Sequence, residues 1–165
     1  SPDPRSFIRE AIKAAEIAIA AGVEVVFRNS QPDLLLSSHC SLARDPFVVT
    51  CDGYVSACCR IETRQTNGAE QYIMGRVYCD SGCVEMDCAR VTDMRSRHVN
   101  ALATCHACFA KWHCGGGCRL LQTKAFSGEM KGYLCRITRD LTLWGILKRL
   151  KADPCIVEEA LSLLP

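Results

Sequence analysis

The sequence predicts an α+β fold: a helix and strand first, then a cysteine-rich region of short β-hairpins and helices. Three observations carry this. Apolar residues recur at helical spacing only near the N-terminus and in the last third, short β-branched runs separated by turn residues fill the middle, and thirteen cysteines stand among 165 residues. At 48% hydrophobic residues the chain can bury a real core, enough for one domain plus part of a second.

Asp3 and Pro4 form an N-cap followed by a first-turn proline. Ile8, Ala11, Ile12, Ala15 and Ile19 then repeat at helical spacing until Gly22 ends the run. Val23, Val25, Val26 and Phe27 follow as a short apolar run that reads as a buried strand. Helix then strand is half of an α/β repeat, and no later segment supplies a partner strand of that kind. The expectation is therefore that the sheet partners lie upstream of Ser1 and that the chain is a piece of a longer protein.

From Gln31 the pattern changes. Phe47 to Thr50 and Tyr54 to Ala57 flank Asp52-Gly53, a hairpin signal. Tyr72 to Val77 and Val84 to Asp87 form a second strand pair around Asp80, Ser81 and Gly82. Ala89 to Ala103 reads as a helix, Cys105 to Cys118 is too rich in Cys and Gly for regular structure, and helical periodicity returns at Arg119 to Ala125 and Thr138 to Lys151. The predicted units are residues 1–36, the helix and strand; 37–140, the cysteine-rich domain; and 141–165, terminal helices.

Charge and hydropathy exclude several functions. A net charge of +2 from interspersed acids and bases leaves no basic surface for nucleic acid. The most apolar stretch, Ala11 to Val26, contains Lys13, Glu16 and Glu24 and falls short of the roughly 18 apolar residues a spanning helix needs. No basic-then-apolar leader opens the sequence, and so many cysteines in a reducing compartment imply a use for thiolates, so the expected location is cytoplasmic. A secreted disulfide scaffold is the competing reading; such scaffolds are usually shorter and carry an even number of cysteines.

The densest signal is Cys105, Cys108, Cys114 and Cys118, spaced C-x2-C-x5-C-x3-C, with Cys135 following. Thiolates at such spacing select zinc or iron-sulfur clusters. Gly115, Gly116 and Gly117 lack side chains, so backbone N–H groups could approach a bulky cluster and bond its sulfurs. His39, His106 and His113 lie near these cysteines; His106 and His113 read as neighbours of a site the cysteines already complete, His39 as a minor candidate ligand, and His98 as a helix-surface residue. Phe109 and Trp112 anchor the loop to the core in the simplest reading. Cys79, Cys83 and Cys88 read as small buried residues of a hairpin, with a third metal site as the competing reading, and Cys155 reads as a core thiol. Leu141, Trp144, Leu147 and Leu150 mark an amphipathic helix packed on the domain.

An ordered set of segments resembles the SPASM domain, the cysteine-rich C-terminal extension of many radical S-adenosylmethionine enzymes that modify ribosomal peptides. It comprises Cys40, Gly53 to Cys58, Tyr72 to Arg76, Cys105 to Cys118, and Cys135 to Arg139, and covers most of the chain. The resemblance implies two 4Fe-4S clusters held by interleaved ligands: Cys105, Cys108, Cys114 and Cys135 on one, Cys40, Cys58 and Cys118 on the other. A further family cysteine shortly before the position of Cys40 is replaced here by Asp33-Leu34-Leu35-Leu36, so Cys51 or Cys59 supplies the fourth ligand or one iron stays open. The resemblance also implies that Val23 to Phe27 ends a partial α/β barrel, that a radical S-adenosylmethionine domain precedes it, and that the substrate is a peptide or protein.

The radical-generating signature C-x3-C-x2-C does not occur: after Cys79 and Cys83 the third position is Met86, and after Cys114 and Cys118 it is Leu121. No catalytic residue is assigned. The alternative is a structural zinc module with Cys105, Cys108, Cys114 and Cys135 around one ion.

Overall fold

The computed structural model describes residues 3–40, 47–122 and 128–163. Helix α1, Pro4–Ala20, starts as its sequence dictates: the Asp3 carboxylate accepts the Ser6 backbone N–H at 2.8 Å and Pro4 takes the first turn. Its Ile8 and Ala15 are buried, and it packs on the long helix α4, Gly128–Arg149. Ile8, Ile137 and Leu141 form this small core, with Ile12, Phe27 and Tyr133 against it. Phe27 meets Trp144 edge to face at 6.1 Å, a favoured aromatic geometry. The Thr142 hydroxyl donates to the Thr138 carbonyl at 2.7 Å, so Ser30 is the donor in the buried 3.0 Å bond between Ser30 and Thr142. The division expected at 140/141 thus falls inside a continuous helix.

The strand expected at Val23 to Phe27 does not form. The segment is extended, Phe27 makes only an isolated bridge to Ser30, and Val23 and Val26 are 57% and 66% exposed. A strand needs a neighbour to take its N–H and C=O groups, and among the described residues none is beside it.

The middle of the chain is one antiparallel meander. Strands β1 (Val48–Val49), β2 (Tyr54–Ser56), β3 (Ile73–Tyr78) and β4 (Cys83–Met86) pair in the order β1-β2-β3-β4, so both expected hairpins are present. The first turn is held by Asp52, whose carboxylate accepts from the Thr50 hydroxyl at 2.6 Å and the Arg64 backbone N–H at 2.8 Å. Val55, Ala57, Ile61, Ala69, Tyr72, Met74, Met94 and Leu120 form the larger core, and Cys58 and Cys118 pack against it.

Helix α2 covers only Cys88–Ser96 of the helix expected to reach Ala103. The chain leaves helical geometry at Arg97 because Val99 is drawn fully into the interior and its N–H bonds the Ser37 carbonyl at 2.7 Å, a tertiary demand that overrides local propensity. Helix α3 is a single turn, Lys111–Cys114, within the otherwise irregular cysteine loop. Of the helix expected at Arg119 to Ala125, a 3-10 turn forms at Leu120–Gln122, and residues 123–125 lie outside the described residues. Helix α5, Pro154–Ser162, closes the described chain, with Asp153 as its N-cap. No helix among the described residues is long and apolar enough to cross a membrane.

Candidate metal centre

All thirteen cysteines are thiols, with none joined in a disulfide. The expected ligand positions come from segments far apart in the chain, and hydrogen bonds lace those segments together. The stretch from Gln31 to Cys40 runs along the cysteine loop. Gln31 N–H donates to the His113 carbonyl at 3.0 Å, Leu36 N–H to the Trp112 carbonyl at 2.6 Å, and His113 Nδ1–H to the Leu34 carbonyl at 3.2 Å. His39 Nδ1–H then donates to the Cys114 carbonyl at 3.2 Å, which fixes the tautomer of the neutral ring. Burial lowers the pKa of His39 against the opposing effect of that hydrogen bond, and so favours the neutral ring.

Gly115 and Gly116 make this close approach possible. Gly115 adopts φ 62° and Gly116 φ 84°, a region that favours glycine. A Cβ on Gly115 would lie 2.5 Å from the Ser38 carbonyl carbon and closer still to the His39 nitrogen, so backbone rests on backbone one residue before Cys40. A Cβ on Gly116 would reach Leu102 Cδ1 at 2.7 Å. The Gly116 N–H also bonds the Cys114 sulfur.

Two groups of thiols result. Cys135, Cys105 and Cys108 lie near enough to Cys114 for their charges to act on it. Cys59, Cys118 and Cys40 act in the same way on Cys58. Cys114 and Cys118, four positions apart, therefore face different groups, while Cys118 joins residues from far earlier in the chain. Cys51 is turned elsewhere, with its thiol donating to the Glu62 carbonyl at 3.2 Å. Among the described residues no three His, Cys, Asp or Glu side chains gather closely enough to hold a single metal ion.

Burial and the surrounding thiols push Cys114 up to about 11. Burial raises Cys58 as well. A folded-state value above the unfolded one means that the fold favours the protonated thiol, so its contribution to stability is full below the unfolded value and fades as pH rises through the folded value. We expect the metal-free chain to lose stability as pH is raised from 9.0 towards about 11, read from denaturant midpoints, with Cys114→Ala flattening the dependence.

Several expected details are corrected. Cys79, Cys83 and Cys88 are exposed rather than buried, because β4 is an edge strand with all four residues open to solvent and nothing covers the start of α2. Cys155 is exposed at the start of α5. Phe109 and Trp112 are also exposed; the loop is anchored instead by the buried Ala110, Gly115 and Gly116. His98 is exposed as expected but precedes a 3-10 turn instead of lying on a helix, and His106 Nε2 faces the Asn100 carbonyl at 3.1 Å. Leu150 extends past the packed face of α4 and is exposed, unlike Leu141 and Trp144.

One further residue borders the second thiol group. Tyr72 is 5% exposed, its hydroxyl has no hydrogen-bond partner among the described residues, and it packs in the core against which Cys58 and Cys118 lie. The sequence marks Tyr72 only as a strand residue, since an unmet hydroxyl leaves no trace in spacing or composition. No protein-family profile, curated protein or solved structure matches this chain.

Proposed function

We propose that the chain is an iron-sulfur module holding two auxiliary 4Fe-4S clusters, and that it forms the C-terminal part of a radical S-adenosylmethionine enzyme that matures ribosomally made peptides or proteins. The observation that carries this reading is the partition of the thiols: Cys105, Cys108, Cys114 and Cys135 in one neighbourhood, Cys40, Cys58, Cys59 and Cys118 in another. Each group is all sulfur, the donor chemistry that four-iron clusters take. Cys59 is better placed than Cys51 to complete the second group, because the Cys51 thiol is engaged by Glu62. When bound, such clusters would carry single electrons; the chain's part is to supply thiolates, most of them half-buried, and to direct the Gly116 N–H at the Cys114 sulfur.

The partner domain follows from the same reading. Val23 and Val26, exposed here, form the apolar edge that strands of an upstream barrel would cover. A structural zinc module is the competing reading; it needs four donors at about 2.3 Å from one ion. The described side chains do not converge to that degree. A four-iron core has a separate iron for each thiolate and so suits thiols that are neighbours without meeting at one point.

Anaerobic reconstitution with ferrous iron and sulfide tests the proposal. The chain should take up about eight irons and about eight sulfides and turn brown. Uptake of metal without sulfide would contradict it.

A further inference from the structure

Tyr72 presents a problem of hydrogen-bond accounting. A buried hydroxyl with no partner costs about 1–3 kcal/mol, and native interiors rarely leave one unmet. Its backbone is fixed beside the second thiol group, since the Ala57 N–H donates to the Tyr72 carbonyl at 2.9 Å and Ala57 directly precedes Cys58. The side chain packs in the core that also contacts Cys58 and Cys118.

The nearby guanidiniums are engaged elsewhere: Arg97 donates to Asp93 at 2.5 and 3.1 Å, and Arg119 to the His98 carbonyl at 3.2 Å. Guanidiniums can only donate, so neither could accept the phenolic proton. Cys58 and Cys118 pack against the same core, so the second thiol group borders Tyr72.

We propose that the Tyr72 hydroxyl donates a hydrogen bond to a sulfur of the cluster bound by Cys40, Cys58 and Cys118, and thereby raises that cluster's reduction potential. This rests on the iron-sulfur reading above. Adding an electron makes the cluster sulfurs more negative and strengthens any bond donated to them, so a donor favours the reduced state. Tyr72 is thus a positioning and tuning residue, since it acts through the cluster's sulfur.

The test is an EPR-monitored redox titration of the full chain, reconstituted anaerobically with iron and sulfide. The cluster in question is the one lost in Cys58→Ala. Tyr72→Phe removes only the hydroxyl and should leave iron and sulfide content unchanged. At a fixed poise it should lower the reduced-to-oxidised ratio of that cluster about three- to tenfold, tenfold being about 59 mV for one electron. Placing 3-fluorotyrosine at position 72, a stronger donor of nearly the same shape, should move the ratio the other way, and it serves as the test if Tyr72→Phe fails to fold. Equal potentials in loaded wild-type and variant proteins would overturn this inference alone. A wild-type chain that binds no iron and sulfide would instead overturn the proposed function.

Discussion

Replacing Cys118 by alanine is expected to remove the cluster associated with Cys58, and to spare the one associated with Cys114, its neighbour in the sequence motif. Cys118 packs against the core that holds Cys58, and its charge acts on Cys58, whereas Cys105, Cys108 and Cys135 act on Cys114. Gly115, Gly116 and Gly117 separate the two residues with three successive left-handed conformations, φ 62°, 84° and 71°, which turn the chain from one group to the other. Iron content should fall from about eight to about four per chain in Cys118→Ala, and again to about four in Cys114→Ala. The EPR spectra of the two variants should differ, each retaining the signal the other lacks. If ligation followed the spacing of the motif alone, both substitutions would remove the same cluster and Cys135 would be dispensable.

Gly115→Ala carries the second large effect. A non-glycine residue at positive φ costs about 1–3 kcal/mol, and here the new Cβ also meets the Ser38 and His39 backbone, which has little freedom to yield. Overpacking of this kind adds about 1–3 kcal/mol. The total, about 2–6 kcal/mol, falls on the contact that brings Cys40 towards Cys118, so cluster uptake at Cys58 should decline along with the thermal midpoint. Gly116→Ala provides the comparison: its Cβ meets the end of the Leu102 side chain, which can rotate away, and its loss of stability should be smaller. Equal losses in both variants would mean that the Ser38–His39 contact has no special part in assembling the site.

The elements legible in the sequence are those set by local chemistry. Asp3 and Pro4 start α1, Asp52-Gly53 turns the first hairpin, and Asp80 to Gly82 turn the second, because caps and turns need particular side chains at fixed offsets. Failures occur where a distant partner decides. Val23 to Phe27 has the composition of a buried strand, but strand formation depends on a neighbour. Ala89 to Ala103 has helical periodicity, but Val99 leaves it for the interior and the Ser37 carbonyl. Cys79, Cys83 and Cys88 have the residue type of a buried hairpin, yet an edge strand leaves them exposed.

The candidate site follows the same division. The motif spacing identifies Cys105, Cys108 and Cys114 as a unit. The resemblance, and not the spacing, puts Cys135 with them and Cys118 with Cys40 and Cys58; in the structure Cys105, Cys108 and Cys135 lie near Cys114, and Cys118 lies near Cys58. The role of the glycines is only half visible in the sequence: Gly116 directs its N–H at sulfur, while Gly115 serves backbone contact with residues far earlier in the chain. The unmet hydroxyl of Tyr72 emerges only when the core is assembled around it.

Anomalous diffraction at the iron absorption edge, from crystals of the anaerobically reconstituted chain, tests the interleaved pair of clusters most directly. Two compact iron groups are expected, one bonded to Cys105, Cys108, Cys114 and Cys135 and the other to Cys40, Cys58 and Cys118. A single group bound by Cys105, Cys108, Cys114 and Cys118 together, or no iron at these thiols, would contradict the account.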